Sequence, residues 1–428
     1  MHSKFPTLAA AVALALGSSV AGASSVDDIF SVRGYGTVGA LYSSQDQADY
    51  VRDLYAQPEG VGHTHRISAD VDSKTAVQVN AKFTDRFSAV VQIVSESMYN
   101  NSWDSDAQKM WFPSLEWANL SYRVTDDFTV RAGRIVMPFL MNAEFQKVGY
   151  ANHWMRAPIE LYGKVSYTSL DGGDAWYKHS LGSGTNTIRA YGGMQNAERN
   201  APSPRAEIAG LIDTYEIGQL TLRAAYQYTT LAGSGESAAT PFRQVAGGLS
   251  FLSAQAAAQA NAIGDVIADG FKIKFATIGV SYDAGKWFAM GEVWNQTGSV
   301  LIPKHTSAYV SGGVRVGSWT PYATLARTDV DDYEDPINTA GLPTTGPLAP
   351  VVFGARAMNQ SFSNSATYTQ NSLSLGMRWD VMSSISVKAQ YDYVALPSDS
   401  FGMFVNRQPG FKAGDDASLF GLSVDFVF

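Results

Sequence analysis

The chain of 428 residues has no cysteine, so disulfide frameworks, thiolate chemistry and Cys-ligated metals are all closed to it. Charge is scarce as well: 16% of the residues are Asp, Glu, Lys or Arg, and 31 basic against 39 acidic side chains leave a net charge of −8. A protein that grips nucleic acid needs a basic face, and this balance excludes that class. Long apolar runs are missing too. No segment approaches the roughly 18 apolar residues of a membrane-spanning helix. The chain does carry 39 Gly and 12% aromatic residues, too many rings for a disordered polymer. Apolar and polar side chains must be separated in another pattern.

The first residues stand apart. Lys4 precedes an apolar run over 8–16, and small residues then lead to Ala21-Gly22-Ala23. This is the layout of a secretory signal with a small-residue cleavage site. The expected division is a signal over 1–23 and one continuous unit over 24–428.

That unit alternates with period two. In its last segment Phe420, Leu422, Val424, Phe426 and Phe428 are apolar, whereas Gly421, Ser423 and Asp425 are small or polar. One face is oily and the other wet, as on a half-buried strand. The same alternation sets Ile385, Val387, Ala389, Tyr391 and Tyr393 against Ser384, Ser386, Lys388, Gln390 and Asp392. It recurs over 372–379, 220–228 and, as one expected strand, 66–83.

Connections fall into two alternating classes. Seven short turns, at 84–86, 125–127, 182–184, 218–219, 284–286, 317–319 and 382–383, suit tight hairpins. Eight long connections lie between them, and these fifteen links imply sixteen strands. A parity break over 270–284 and 286–296 points to bulges there and leaves room for a count of eighteen. A large soluble β-protein offers one reading of such a pattern. Short turns on one side and long loops on the other instead suit an all-β transmembrane antiparallel barrel. Phe83, Phe87, Tyr122, Phe128, Tyr282, Trp287, Trp319 and Trp379 cluster beside the short turns, where an interfacial aromatic girdle is expected.

With its signal segment, a first strand RGYGTVGALY, a last strand LFGLSVDFVF and terminal Phe428, the chain resembles the Gram-negative outer-membrane porins, the trimeric sixteen-stranded family. The resemblance implies a homotrimer in the cell outer membrane, surrounded by lipid and lipopolysaccharide, that passes small hydrophilic solutes without an enzymatic step or a cofactor. It also implies that Phe420, Leu422, Val424, Phe426 and Phe428 form the signal read by the barrel-assembly machinery. The third long loop of that family folds inward to constrict the channel. Its counterpart here is 138–163, containing FLMNAEFQKVGYANHWMRAPIELYG.

A sixteen-stranded barrel is too wide for side chains to fill, so it must hold water. The expected wall cations are Arg66, Lys74, Arg123, Arg131, Arg223, Arg315, Arg378 and Lys388, facing anions such as Asp70, Asp72, Glu96, Asp380, Asp392 and Asp425. The constriction loop contributes Glu144, Lys147, His153, Arg156 and Glu160. A transverse field between loop carboxylates and wall arginines would favour polar or weakly anionic solutes. The alternative is that these loop residues only tie the loop to the wall. A substrate-specific channel, a barrel enzyme and an adhesin are the competing functions.

Other motifs carry less. Gly34, Gly36 and Gly39 fit the spacing of a dinucleotide fingerprint, but that motif needs a helix after it, and here Ala40-Leu41-Tyr42 continues the strand. His63 and His65 are too few for a metal site without further ligands, and none is expected. Adjacent His179 and Ser180 point to opposite faces of a strand, which rules out a base and nucleophile pair. An Ala-rich stretch over 254–262 is expected to form a short loop helix, and 331–350, with four prolines, an exposed loop.

Overall fold

The computed structural model describes residues 29–428 except 55, 58, 100–108, 112, 166–167, 196–204, 300–301 and 332–333. The signal expected over 1–23 lies outside the described residues.

Alternation becomes geometry in sixteen long strands: β1 (Phe30–Ser43), β2 (Lys74–Lys82), β3 (Phe87–Glu96), β4 (Pro113–Arg123), β5 (Phe128–Val136), β6 (Ser169–Leu181), β7 (Gly184–Gln195), β8 (Ala206–Ile217), β9 (Leu220–Ala232), β10 (Gly270–Asp283), β11 (Trp287–Thr297), β12 (His305–Val314), β13 (Trp319–Val330), β14 (Gln370–Met382), β15 (Ile385–Ala395) and β16 (Ala417–Val427). Each pairs antiparallel with its sequence neighbours, and β1 pairs with β16 to close the barrel. Closure leaves no unpaired edge, which is the condition for strands to exist in hydrocarbon. All seven short turns fall at one end and the long connections at the other.

The two faces differ as the side-chain period demands. On β16, Phe420, Leu422 and Val424 are exposed on the outside while Leu419, Ser423 and Asp425 are buried within. On β13, Leu325 points out, whereas Thr320, Thr324 and Thr328 are buried inside. Near the short turns the aromatic residues pair: Trp319 and Trp379 stack 5.1 Å apart, Tyr282 and Trp287 lie 5.1 Å apart, and Phe83 and Phe87 5.4 Å.

The closing seam explains the glycines of the first strand. Gly36 lies opposite Phe426, and Gly34 exchanges backbone hydrogen bonds with Phe428. A Cβ on Gly36 would sit 2.3 Å from the Phe426 ring, and one on Gly34 would sit 2.2 Å from that of Phe428. The rings occupy the space the missing side chains leave, a pairing known to stabilise strand glycines.

Two expectations need correction. The strand read over 66–83 is interrupted: Ile67–Ser68 and β2 both pair with β1, but residues 69–73 leave the ladder. Asp72 in that break is held by Arg156 from the inward loop. The parity break expected over 270–296 is absent, since β10 and β11 pair in continuous register. Register shifts occur instead at Gln92/Ile93 and Asp380/Met382.

Among the described residues, four α-helices lie in the long connections: α1 (Ile159–Tyr162), α2 (Glu236–Leu249), α3 (Ala254–Asp269) and α4 (Ala349–Ala366). The Ala-rich stretch lies within α3, whose N-cap Ser253 accepts from the Ala256 N–H at 3.2 Å. Small residues Ala246, Ala256, Ala260 and Ala355 let α2, α3 and α4 share one apolar cluster. Ile337, in the proline-rich segment expected to be exposed, is buried in that cluster.

Candidate functional site in the barrel lumen

The connection between β5 and β6, described over residues 137–165, turns into the barrel rather than away from it. Its apolar residues cause this. Phe139, Leu140, Trp154, Leu161 and Tyr162 bury themselves against Phe288, Trp294, Tyr309 and Tyr322 on the inner wall. The Trp154 indole N–H then finds acceptors in Ser311 Oγ at 3.1 Å and Thr324 Oγ1 at 3.0 Å, as a buried indole requires.

Charged anchors complete the docking. Arg156, whose side chain is 2% exposed, donates from Nε and Nη2 to both oxygens of Asp72 at 3.0 and 2.6 Å, and from Nη1 to Asp392 at 2.8 Å. Lys147 lies between Glu96 at 2.9 Å and Glu116 at 2.8 Å. Lys388 of β15 donates to the Gly149 and Trp154 carbonyls at 2.7 and 2.9 Å and pairs with Asp425 at 3.0 Å. Arg378 holds the Tyr150 and Asn152 carbonyls at 2.6 and 2.9 Å. Glu160 is fully buried, receives Gln370 at 2.7 Å, and burial pushes its carboxyl upward. Burial, followed by the Lys388, Arg378 and Arg315 cations, holds His153 at about 3, so the ring that meets Ser311 Oγ at 2.9 Å is neutral.

This docking leaves open space on one side. Between the loop and strands β5 to β9 lies a cavity of about 290 Å³, lined by Arg131, Lys178, Arg189 and Arg223, by Glu144 and Glu216, and by Trp176, Ile212, Thr187 and Thr214. Asp174, buried behind the wall cations, accepts from Arg131 at 3.0 and 2.6 Å and from Arg189 at 2.8 Å. Both guanidiniums also lie over the Trp176 ring, at 5.5 and 5.9 Å. Glu144 reaches from the loop to Arg189 at 2.8 Å and stays 40% exposed. Arg223 donates to the Pro138 carbonyl at the root of the loop. Four cations thus face two carboxylates across the open space.

The expected residues are distributed unevenly over this arrangement. Arg131 and Arg223 line the cavity. Lys74 is buried in the wall, and Arg378 and Lys388 face inward but are covered by the loop. Arg123 is exposed at the short-turn end. Arg315 sits at that same end over the Phe288 ring, paired with Asp283 at 2.7 Å. Arg66 departs from the wall altogether: it lies half-exposed at the long-loop rim, 5.5 Å over the outward ring of Tyr42. Of the five loop residues, Glu144 alone lines the cavity, whereas Lys147, His153, Arg156 and Glu160 are taken up in docking. Lys178, Arg189, Trp176, Asp174 and Glu216 escaped the sequence reading. Their signal is weak because β6, β7 and β8 mix small and polar residues on both faces.

The discounted motifs are absorbed into the fold. His63 Nδ1 meets the Asp46 carbonyl at 3.1 Å, and His179 stacks on Tyr177 at 5.6 Å. No group of three or more His, Asp or Glu suited to a metal occurs among the described residues.

No family model matches the chain, and no curated protein matches it. Solved structures do. An anion-selective porin from Comamonas acidovorans is 10% identical with a TM-score of 0.52, over 93% of this chain and 99% of that one. OmpF of Salmonella typhi, in complex with daunomycin, is 11% identical with a TM-score of 0.53, over 93% and 97%. At such identities the likeness is one of fold, and it extends over nearly the whole of both chains. With its sixteen strands closed by β1 on β16, the chain has the antiparallel barrel fold of the porins.

Proposed function

We propose that this protein is an outer-membrane porin: residues 1–23 direct export, residues 24–428 form the barrel, and small hydrophilic solutes diffuse through it passively. The carrying observation is the cavity between the docked loop and β5 to β9, where Arg131, Lys178, Arg189 and Arg223 outnumber the lining Glu144 and Glu216 and still exceed the carboxylates by one when Asp174, held by Arg131 and Arg189, is counted. Charged rings in a wet constriction set preference by Coulomb attraction and desolvation. The preference here is for anionic or polar solutes, and Glu144 moderates it from the loop side. No reaction and no cofactor enters this reading.

The oily outer face supports placement in a bilayer, and the outward set Phe420, Leu422, Val424, Phe426 and Phe428 supports recognition by the barrel-assembly machinery. A homotrimer follows from the same porin reading. A second reading, a channel specific for one solute class, is favoured by how much of the lumen the loop fills. Reconstitution in planar bilayers tests the first reading: stepwise currents with an anion-selective reversal potential are expected, and a barrel that passes no ions would refute it. Liposome swelling across sugars, amino acids and organic acids separates the two. Uniform size dependence indicates a general channel, and one outlying class a specific one.

A further inference from the structure

Strand register lays the cavity out in rows. Lys178, Thr187, Thr214 and Arg223 stand opposite one another in turn across β6 to β9, so two hydroxyls separate two cationic side chains. Adjacent strands lie about 4.8 Å apart, which sets the backbones of Lys178 and Arg223 about 14 Å apart along the wall. Two residues nearer the long loops, Trp176 and Arg189 form the next row, and beyond it Asp174 lies opposite Arg131. Asp174 fixes the guanidiniums of both Arg131 and Arg189, and both lie over the Trp176 indole. One indole and two planar cations, tied by a buried carboxylate, make a flat and rigid surface on which an aromatic ring can stack.

The row of Lys178 and Arg223 has charge to spare. Lys178 Nζ has no hydrogen-bond or ion-pair partner among the described residues. Arg223 gives Nη2 to the Pro138 carbonyl, but its Nε is buried without an acceptor. Next along this row Gly279 adds no side chain, and Glu292 beyond it is engaged by the Met141 N–H at 3.1 Å and the Tyr162 hydroxyl at 3.2 Å. Glu216, one row toward the short turns, makes no ion pair among the described residues. Arg131 and Arg189 are balanced by Asp174 and Glu144, whereas Lys178 and Arg223 exceed Glu216 by one. A single negative charge completes the site. At about 290 Å³ the cavity lies at the lower edge of small-molecule pockets, so the anion it takes is small.

We propose that the cavity binds small aromatic monocarboxylates, which rests on the channel reading above and names the solute class of the same site. The ring lies on Trp176 and the Arg131 and Arg189 guanidiniums, and the carboxylate sits between Lys178 and Arg223 over the Thr187 and Thr214 hydroxyls. Current through the reconstituted protein in KCl is recorded with benzoate, acetate, benzyl alcohol, phthalate or glucose added. Benzoate should interrupt it saturably; acetate lacks the ring and benzyl alcohol the charge, and both should need concentrations about tenfold higher or more. The second carboxylate of phthalate finds no free cation, so phthalate should bind more weakly than benzoate. W176L should weaken benzoate about fivefold and K178Q about tenfold, while K178R should retain it and K304Q, at the rim, should leave it unchanged. Saturation-transfer NMR on the detergent-solubilised protein reads the same binding without current, and heat-modifiable migration on gels confirms that each variant is folded. Equal affinity for benzoate and acetate, block by glucose at the concentrations where benzoate acts, or benzoate affinity unchanged in W176L and K178Q would overturn the proposal. Stepwise current with no response to benzoate sinks this site and leaves the channel reading standing. Silent bilayers sink that reading instead, and the NMR titration then decides the site by itself.

Discussion

Arg156 ties the inward loop to the wall through a buried ion-pair triad, and removing it should free the loop. Its guanidinium makes three hydrogen bonds to Asp72 and Asp392, with all three side chains 6% exposed or less. R156M leaves two buried carboxylates without a cation, and breaking a buried pair in this way costs about 3–5 kcal/mol. The released-loop population should therefore rise by roughly two to four powers of ten. Because the chain contains no cysteine, M155C provides a unique label at a buried loop position. Its reaction with a membrane-impermeant maleimide should accelerate by a similar factor in R156M, and single-channel records should become noisier. R156M/D72N/D392N, which removes the stranded charges as well, should recover most of the protection. Equal labelling rates in M155C with and without R156M would refute the idea that this triad holds the loop.

The remaining predictions concern charge, protonation and closure. E144Q removes a carboxylate from the cavity and should move the reversal potential further toward anions; R131Q/R189Q should move it the other way, and bilayer measurements under a salt gradient read both. The docked His153 holds at about 3 against an ordinary 6.5, so between those values the released loop binds a proton that the docked loop does not. The His153 contribution to docking is therefore fully present above pH 6.5 and falls by at most about 1.4 kcal/mol per pH unit as pH drops toward 3. Current noise should rise at acid pH in wild type, with a smaller rise in H153Q. G36L would drive a side chain into the Phe426 ring and should prevent barrel closure, seen as loss of the heat-modifiable folded band.

Much of the architecture is legible in the sequence because a barrel writes its two faces into alternate residues. Phe420 to Phe428 shows one face directly, and the turns read at 182–184, which close over 182–183, and at 218–219 show where strands end. Gly182 and Gly218 adopt the left-handed backbone, φ 60° and 58°, that such two-residue hairpins use. The lumen is less legible, for a physical reason. Lys388 reads as a wall cation on its strand, yet loop carbonyls 234 and 239 residues earlier in the chain enclose it. Arg156 pairs with Asp72 and Asp392, residues that meet only after the ring has closed. Inward parity tells which side chains face the lumen; the fold of the loop decides which of them still meet water. Arg189 shows the converse. Its strand lacks clean alternation, so nothing in sequence distinguished it from a surface arginine, although it faces both Asp174 and Glu144 across the cavity.

The most direct test of the account is the current through one reconstituted protein under a tenfold KCl gradient. Stepwise openings whose reversal potential lies toward the chloride equilibrium value are expected from a water column walled by Arg131, Lys178, Arg189 and Arg223. Silent bilayers, or a potential displaced toward potassium, would contradict it.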